Sequence, residues 1–382
     1  MYVRIKRRLE YPDYSVLVYF REIMKMRNNL LLALLASISL SILVSCSGGE
    51  RVKQAQNIII NDIMASNRTG LLNHKGKPLD WIELKNTSSD SINLEGFGLA
   101  VIKMKVDSIT NDTIEETTKW EFPDVTIKGG ENLIVFANKK KNKADKALKA
   151  EKEDNEEKDD GDDPEEAKPK KAKSLRADFN LPKEGGIVQF LAPNGKVITE
   201  LKYVKLAADQ AYARKADGSY EETYLQSPGF ENTQEGYEKA MEKIDMQRTD
   251  PLLVWELMSR SEDSSANWVE LKNTGTTPID MGQYSISKKM GKNEEYMALP
   301  SRVIQPGEIV TIKLSGIPGE AASLQAPFQL GKAETIVLSK DGKFVDGINA
   351  RTAPEGGSVG RSKDKKGIFG YQTPTPNAEN GT

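Results

Sequence analysis

The 382-residue sequence predicts an all-β protein made of two antiparallel β-sandwiches in tandem. Three observations carry this expectation. The segment Trp81-Ile82-Glu83-Leu84-Lys85-Asn86-Thr87 recurs 187 positions later as Trp268-Val269-Glu270-Leu271-Lys272-Asn273-Thr274. Short runs alternate apolar and polar residues at period two, separated by turn residues every 8–12 positions. No sustained helical periodicity occurs inside either copy of the repeat. Short period-two runs with regular turn signals are the pattern of packed antiparallel sheets.

The repeat extends well beyond seven residues. Ile92-Asn93-Leu94 matches Ile279-Asp280-Met281, and Phe97 matches Tyr284. Phe122-Pro123 matches Leu299-Pro300, and Gly130-Glu131 matches Gly307-Glu308. Phe179-Asn180-Leu181 matches Phe328-Gln329-Leu330, Arg214 matches Arg361, and Pro228 with Asn232 matches Pro376 with Asn380. The order never changes, which is the signature of a tandem domain duplication. Copy one spans 57–232 and copy two 250–380.

Individual strands follow from side-chain alternation. Ile82 and Leu84 alternate with Glu83 and Lys85, and Val310, Ile312 and Leu314 alternate with Thr311 and Lys313. Gly186–Leu191 and Thr335–Leu338 are short apolar runs, each followed by a hairpin signal, Asn194-Gly195 and Asp341-Gly342. Both pairs suit the positive φ angles of a type I′ turn. Between the copies, in the linker 233–249, Tyr237, Met241 and Ile244 have the spacing of a short amphipathic helix.

Copy one is longer in its middle. Residues 139–173 hold 12 lysines and 12 acidic residues in 35 positions. Such a segment buries too little apolar surface to offset its ordering entropy, so a disordered charged insertion is expected. The acidic run Asp159–Glu166 lacks the ligand spacing of a calcium loop.

The N-terminal 1–45 is expected to be an address rather than fold. Residues 30–45 carry no charge and follow Lys25 and Arg27, as in a secretory signal peptide. The run is shorter than a membrane span. It ends in Leu43-Val44-Ser45-Cys46, which resembles a bacterial lipobox, with the lipid on Cys46 and 46–56 as tether. Ser47 in place of aspartate implies the outer membrane. Residues 1–23 read as a start called too far upstream of Met24 or Met26. Without 1–45 the net charge is −6, from 47 basic and 53 acidic residues. That acidity disfavours nucleic acid as a partner.

Each copy resembles the lamin-tail domain. In copy one the resemblance is carried by Ile60–Asn67, Trp81–Asn86, Leu94-Glu95-Gly96-Phe97-Gly98-Leu99, Phe122-Pro123, Gly129-Gly130, Arg214, Asp217-Gly218 and Ser227-Pro228-Gly229-Phe230-Glu231-Asn232. Copy two carries Trp268–Asn273 and Thr373–Asn380, with departures at Gly282-Gln283-Tyr284 and at Asn377, which stands in the place of Gly229. The resemblance implies an immunoglobulin-like sandwich, twice, and a module that binds or builds rather than catalyses.

Composition narrows the chemistry. One cysteine and one histidine exclude an intrachain disulfide and a Cys/His zinc site. His74 lies in a loop that copy two lacks, where solvent exposure is the ordinary expectation. Glu83, Asn86, Glu270 and Asn273 are the conspicuous repeated polar residues, and Trp81 and Trp268 stand on the strand face opposite Ile82 and Val269. As a group these six form a candidate binding surface for a protein or glycan, set against a purely structural role in turns and sheets. No cofactor or metal motif is present. The expected function is a non-catalytic, envelope- or surface-anchored lipoprotein held in the membrane through Cys46. The alternatives are a secreted hydrolase using carboxylates or a metal, and a module binding nucleic acid or another polymer.

Overall fold

A computed structural model describes residues 49–106, 113–139, 174–261, 266–290, 295–318, 323–351 and 353–381. The expected signal peptide, Cys46 and the expected disordered insertion beyond Lys139 lie outside the described residues. Residues 49–54 are helical, and Gln56–Thr382 form a unit that contains both sandwiches.

Copy one supplies β1 (Ile58–Met64), β2 (Asp80–Asn86), β3 (Ile92–Asn93), β4 (Gly98–Val106), β5 (Thr113–Glu121), β6 (Thr126–Ile127), β7 (Asn132–Ala137), β8 (Arg176–Ala177), β9 (Gly186–Leu191), β10 (Val197–Tyr203), β11 (Ala211–Arg214) and β12 (Tyr220–Thr223). The helix α1 (Gln234–Asp245) follows. Copy two supplies β13 (Leu252–Met258), β14 (Trp268–Asn273), β15 (Ile279–Asp280), β16 (Tyr284–Ser287), β17 (Tyr296–Ala298), β18 (Val303–Ile304), β19 (Ile309–Lys313), β20 (Thr335–Lys340), β21 (Lys343–Asn349), β22 (Ser358–Arg361) and β23 (Phe369–Gln372).

The two copies have the same topology. One sheet of copy one runs β12-β11-β1-β2-β7-β8, and its counterpart in copy two runs β23-β22-β13-β14-β19. The facing sheets are β10-β9-β4-β5 and β21-β20-β16-β17. Nearly all pairings are antiparallel, and β7 with β8 is a parallel exception. Apolar side chains from both sheets fill each core. In copy one Phe97 stacks on Phe190 with centroids 5.5 Å apart, and Ile60, Ile82 and Leu84 are fully buried. In copy two Val254, Leu271, Ile286, Ile312 and Leu338 occupy the corresponding interior.

A bulge recurs at the same step in both copies. Ile60 faces Leu84 but Asp62 faces Glu83, so Asn61 is the extra residue in β1. Likewise Val254 faces Leu271 but Glu256 faces Glu270, and Trp255 is extra in β13. A bulge re-aims the side chains that follow it.

Two turn expectations separate here. Asp341 and Gly342 both have positive φ, 49° and 74°, as a type I′ turn requires. At Asn194-Gly195 only Gly195 does, at 81°. There Gly195 N–H donates to Ala192 carbonyl at 2.8 Å, closing a four-residue turn with Pro193 at its second position. The fixed φ of Pro193 favours a type I turn followed by a left-handed glycine, which displaces the type I′ expectation.

Helix α1 forms where Tyr237 and Ile244 predicted it. Thr233 Oγ1 caps it by accepting from Gly236 N–H at 3.0 Å, and Gly236, Tyr237, Ala240 and Ile244 are buried. A short helix gains most of its stability from burying such a face.

Candidate functional site

The bulges place a pair of acids inside each sandwich. Asp62 and Glu83 are direct cross-strand neighbours, 1% and 0% exposed. Glu83 accepts from Asn61 Nδ2 at 2.9 Å and from Gly229 N–H at 2.5 Å. Asp62 Oδ1 accepts from Asn232 Nδ2 at 2.5 Å and from Arg214 N–H at 3.3 Å. Asn232 Nδ2 also donates to Arg214 carbonyl at 3.0 Å, while its Oδ1 accepts from Ser227 Oγ at 2.6 Å. The acids therefore hold the closing segment Ser227–Asn232 against β1, β2 and β11.

Copy two repeats the device with different donors. Glu256 and Glu270 face each other, both 0% exposed. Glu256 accepts from Ser358 Oγ and from Thr375 Oγ1, the latter at 2.6 Å. Glu270 Oε1 accepts from Asn377 N–H at 2.6 Å and Thr311 Oγ1 at 2.7 Å. Asn380 Nδ2 donates to the carbonyls of Trp255 at 3.0 Å and Arg361 at 2.8 Å. Asn377 replaces Gly229, and both are left-handed, at 59° and 83°. Asparagine is the usual non-glycine substitute in that region, so the departure keeps the geometry.

Burial governs the protonation of Asp62, Glu83 and Glu270. It pushes Asp62 up to about 7 against the opposing hydrogen bonds from Asn232 and Arg214. Glu83 is held well above the ordinary carboxylate range, first by burial and then by the negative charge of Asp62. Glu270 is raised chiefly by burial. Two adjacent buried carboxyls cannot both ionise cheaply, so Asp62 and Glu83 hold a proton between them near neutrality. Two convergent acids are what a glycosidase needs. Here they lie within the sheet, sealed from solvent and occupied by the closing segment.

The six residues expected as a binding surface are all interior: Trp81, Glu83, Asn86, Glu270 and Asn273 are 0% exposed and Trp268 is 8% exposed. Simple alternation misplaces Glu83 because both faces of β2 are covered. Trp81 is packed with Met64, Phe136 and Ala211, beneath Leu71 and Leu79 of the preceding loop. Asn86 Nδ2 donates to the carbonyls of Asp90 at 2.7 Å and Ile127 at 3.3 Å, and its Oδ1 accepts from Ser88 N–H at 3.1 Å. Asn273 makes the same set, to Thr277 at 2.8 Å, Ile304 at 3.1 Å and from Gly275 N–H at 2.9 Å. Both asparagines pin a turn to the strand below it. His74 is half-buried rather than open to solvent, because its Nδ1 accepts from Ser174 N–H at 3.2 Å.

Sequence reasoning missed the charged seam between the two sandwiches. Arg248, just after α1, sits 2.9 Å from Asp346 of β21, and Arg361 Nη2 reaches the other oxygen of Asp346 at 2.5 Å. Asp245 bridges the two arginines, at 3.2 Å from Arg248 and 3.0 Å from Arg361. Alongside, Asp209 accepts from Arg68 and Thr69 N–H groups at 2.6 and 2.9 Å, and Asn349 Nδ2 donates to Ala208 carbonyl at 2.8 Å. A cavity of about 30 Å³ remains between Thr69, Asp209, Arg248 and Asn349. That is room for one or two waters, not for a substrate. Arg361 ties β22 to carboxylates through its side chain, whereas at Arg214 the backbone N–H does so, donating to Asp62.

Among the described residues no three His, Cys, Asp or Glu side chains gather as a metal site. The Lamin Tail Domain family profile matches residues 51–205 and 246–351. No curated protein matches the chain. Of the closing segments that the buried acids hold, Ser227–Asn232 lies between the two matched stretches and Thr375–Asn380 after the second.

Proposed function

The chain belongs to the lamin tail domain family, and from that premise we propose that it is a non-catalytic lipoprotein, anchored in the bacterial envelope or at its surface, whose paired domains act as a protein- or glycan-binding or structural module. One observation carries the module reading. The polar residues repeated in both copies are engaged inside the fold, in acid pairs and turn-pinning asparagines, where no substrate reaches them. What repeats is the means of building the sandwich, and recognition falls to the outer surfaces. The mature charge of −6 favours protein or glycan over nucleic acid.

The anchor rests on the sequence Leu43-Val44-Ser45-Cys46. An acyl chain adds about 0.8 kcal/mol of membrane affinity per buried methylene, so stable retention needs more than one chain. Replacing Cys46 with alanine is expected to release the protein into the soluble fraction. Unchanged membrane retention would refute lipidation. Affinity purification of the lipidated protein from native membranes tests the module reading. A defined partner or bound glycan is expected, and hydrolytic activity of the purified chain without any partner would overturn it.

A further inference from the structure

Strand β5 ends the sheet β10-β9-β4-β5 and offers its outer edge over nine residues. It pairs with β4 along the whole length, from Gly98 opposite Glu121 to Val106 opposite Thr113. Strand β9 supports β4 only over Gly98–Ile102. Lys103–Lys105 and Ile114–Glu116 therefore stand clear as a two-stranded arm, with Met104 58% and Ile114 43% exposed. The counterpart in copy two, β16 with β17, has only three pairs. Among the described residues the arm belongs to copy one.

Natural proteins blunt such an edge with charge, bulges or brevity, because free backbone donors and acceptors template another strand. This edge is long and has no bulge in its pairing with β4. Its charges are also arranged in a self-matching order. The sequence is Thr113-Ile114-Glu115-Glu116-Thr117-Thr118-Lys119-Trp120-Glu121. Antiparallel pairing of two copies about Thr117 sets each Glu115 opposite Lys119 and each Ile114 opposite Trp120. Glu116 then meets Thr118, and Thr117 meets itself. No like charges are directly opposed, and opposite-charge and aromatic–β-branched pairs are the favourable cross-strand kinds.

We propose that β5 is a homodimerisation edge: two copies of this chain pair antiparallel through β5 about a two-fold axis at Thr117, joining two four-stranded sheets into one of eight. A two-fold contact is isologous, so it closes and cannot propagate into fibres.

The test uses the full chain carrying Cys46→Ser, which keeps the only native thiol out of the readout. Light scattering behind size exclusion is expected to show the mass doubling as concentration rises. Lys119→Glu sets acids against acids and is expected to abolish the dimer, as is Glu115→Lys. The double variant, with both charges exchanged, is expected to restore it, with circular dichroism reporting that each variant is folded. Cysteine at 117 faces its own copy within disulfide reach, whereas cysteine at 119 faces position 115. Thr117→Cys is therefore expected to cross-link and Lys119→Cys is not. A chain that stays monomeric at every concentration, an exchange that fails to restore dimer, or equal cross-linking at both positions would overturn the proposal.

Discussion

Asp346 is fully buried between two guanidinium groups, with Arg248 at one carboxylate oxygen and Arg361 at the other. Arg361 belongs to the same sandwich as Asp346, while Arg248 arrives from the end of the connecting segment. Removing one partner of a buried ion pair leaves an uncompensated charge and costs about 3–5 kcal/mol. Asp346→Ala is expected to lose stability on that scale in urea unfolding. A change below about 1 kcal/mol, the ceiling for exposed pairs, would show that the seam is solvated.

The pair Asp62 and Glu83 sets a pH dependence. A carboxyl whose folded pKa is raised favours the protonated native state. Stability from Asp62 is then fully present below about pH 4, its unfolded value, and declines as pH rises toward about 7. Asp80, also raised to about 7 by burial, adds a decline of the same sign. Asp62→Asn mimics the protonated form. The variant is expected to gain on wild type between pH 4.5 and 7.5, by on the order of 2 kcal/mol. Melting temperatures at the two pH values check this, and parallel curves for the two proteins would refute it.

Asn86 and Asn273 each give both amide hydrogens to buried or half-buried carbonyls. Truncation leaves those acceptors unsatisfied, at about 1–3 kcal/mol. Asn86→Ala and Asn273→Ala are expected to destabilise similarly. Asn→Asp at either position is expected to give no rescue, since a carboxylate cannot donate. Equilibrium denaturation of the four variants would expose a rescue if one occurred.

Trp81 distinguishes interior from platform. As a core residue beneath Leu71 and Leu79, its replacement by alanine is expected to cost about 3–5 kcal/mol. An exposed platform would lose little stability. Wild-type fluorescence from this tryptophan is also expected to resist aqueous quenchers until the fold opens.

Much of this architecture was legible in the sequence. The repeat fixed the number of sandwiches, because seven matching residues mark the same strand twice, and alternation at Val310 and Ile312 found β19. Asp341-Gly342 announced its turn through residues that tolerate positive φ. The candidate site was less readable. Glu83 looks like the polar side of a half-buried strand, and nothing local reveals that the segment at Ser227–Asn232 returns to cover it. Asp62 becomes its neighbour only through a bulge, and neither Asn61 nor Trp255 carries a composition cue for one. The seam at Asp346 joins Arg361, 15 positions away, to the distant linker residues Asp245 and Arg248, with Asp245 and Arg361 116 positions apart, so no spacing rule finds it. Pro193 was the visible signal that Asn194-Gly195 would not form a type I′ turn.

The extra residues Asn61 and Trp255 occupy the same step of strands that are otherwise unlike, Ile-Ile-Ile-Asn-Asp-Ile-Met and Leu-Leu-Val-Trp-Glu-Leu-Met. An irregularity at the same register step in both copies belongs to the plan of the sandwich rather than to either sequence. It also sets a rule for anyone exchanging pieces between the two halves. A graft that pairs all seven residues in regular register, without the bulge, would turn the second half over, apolar side outward. A graft that drops only Asn61 or Trp255 keeps every cross-strand partner and loses the kink alone.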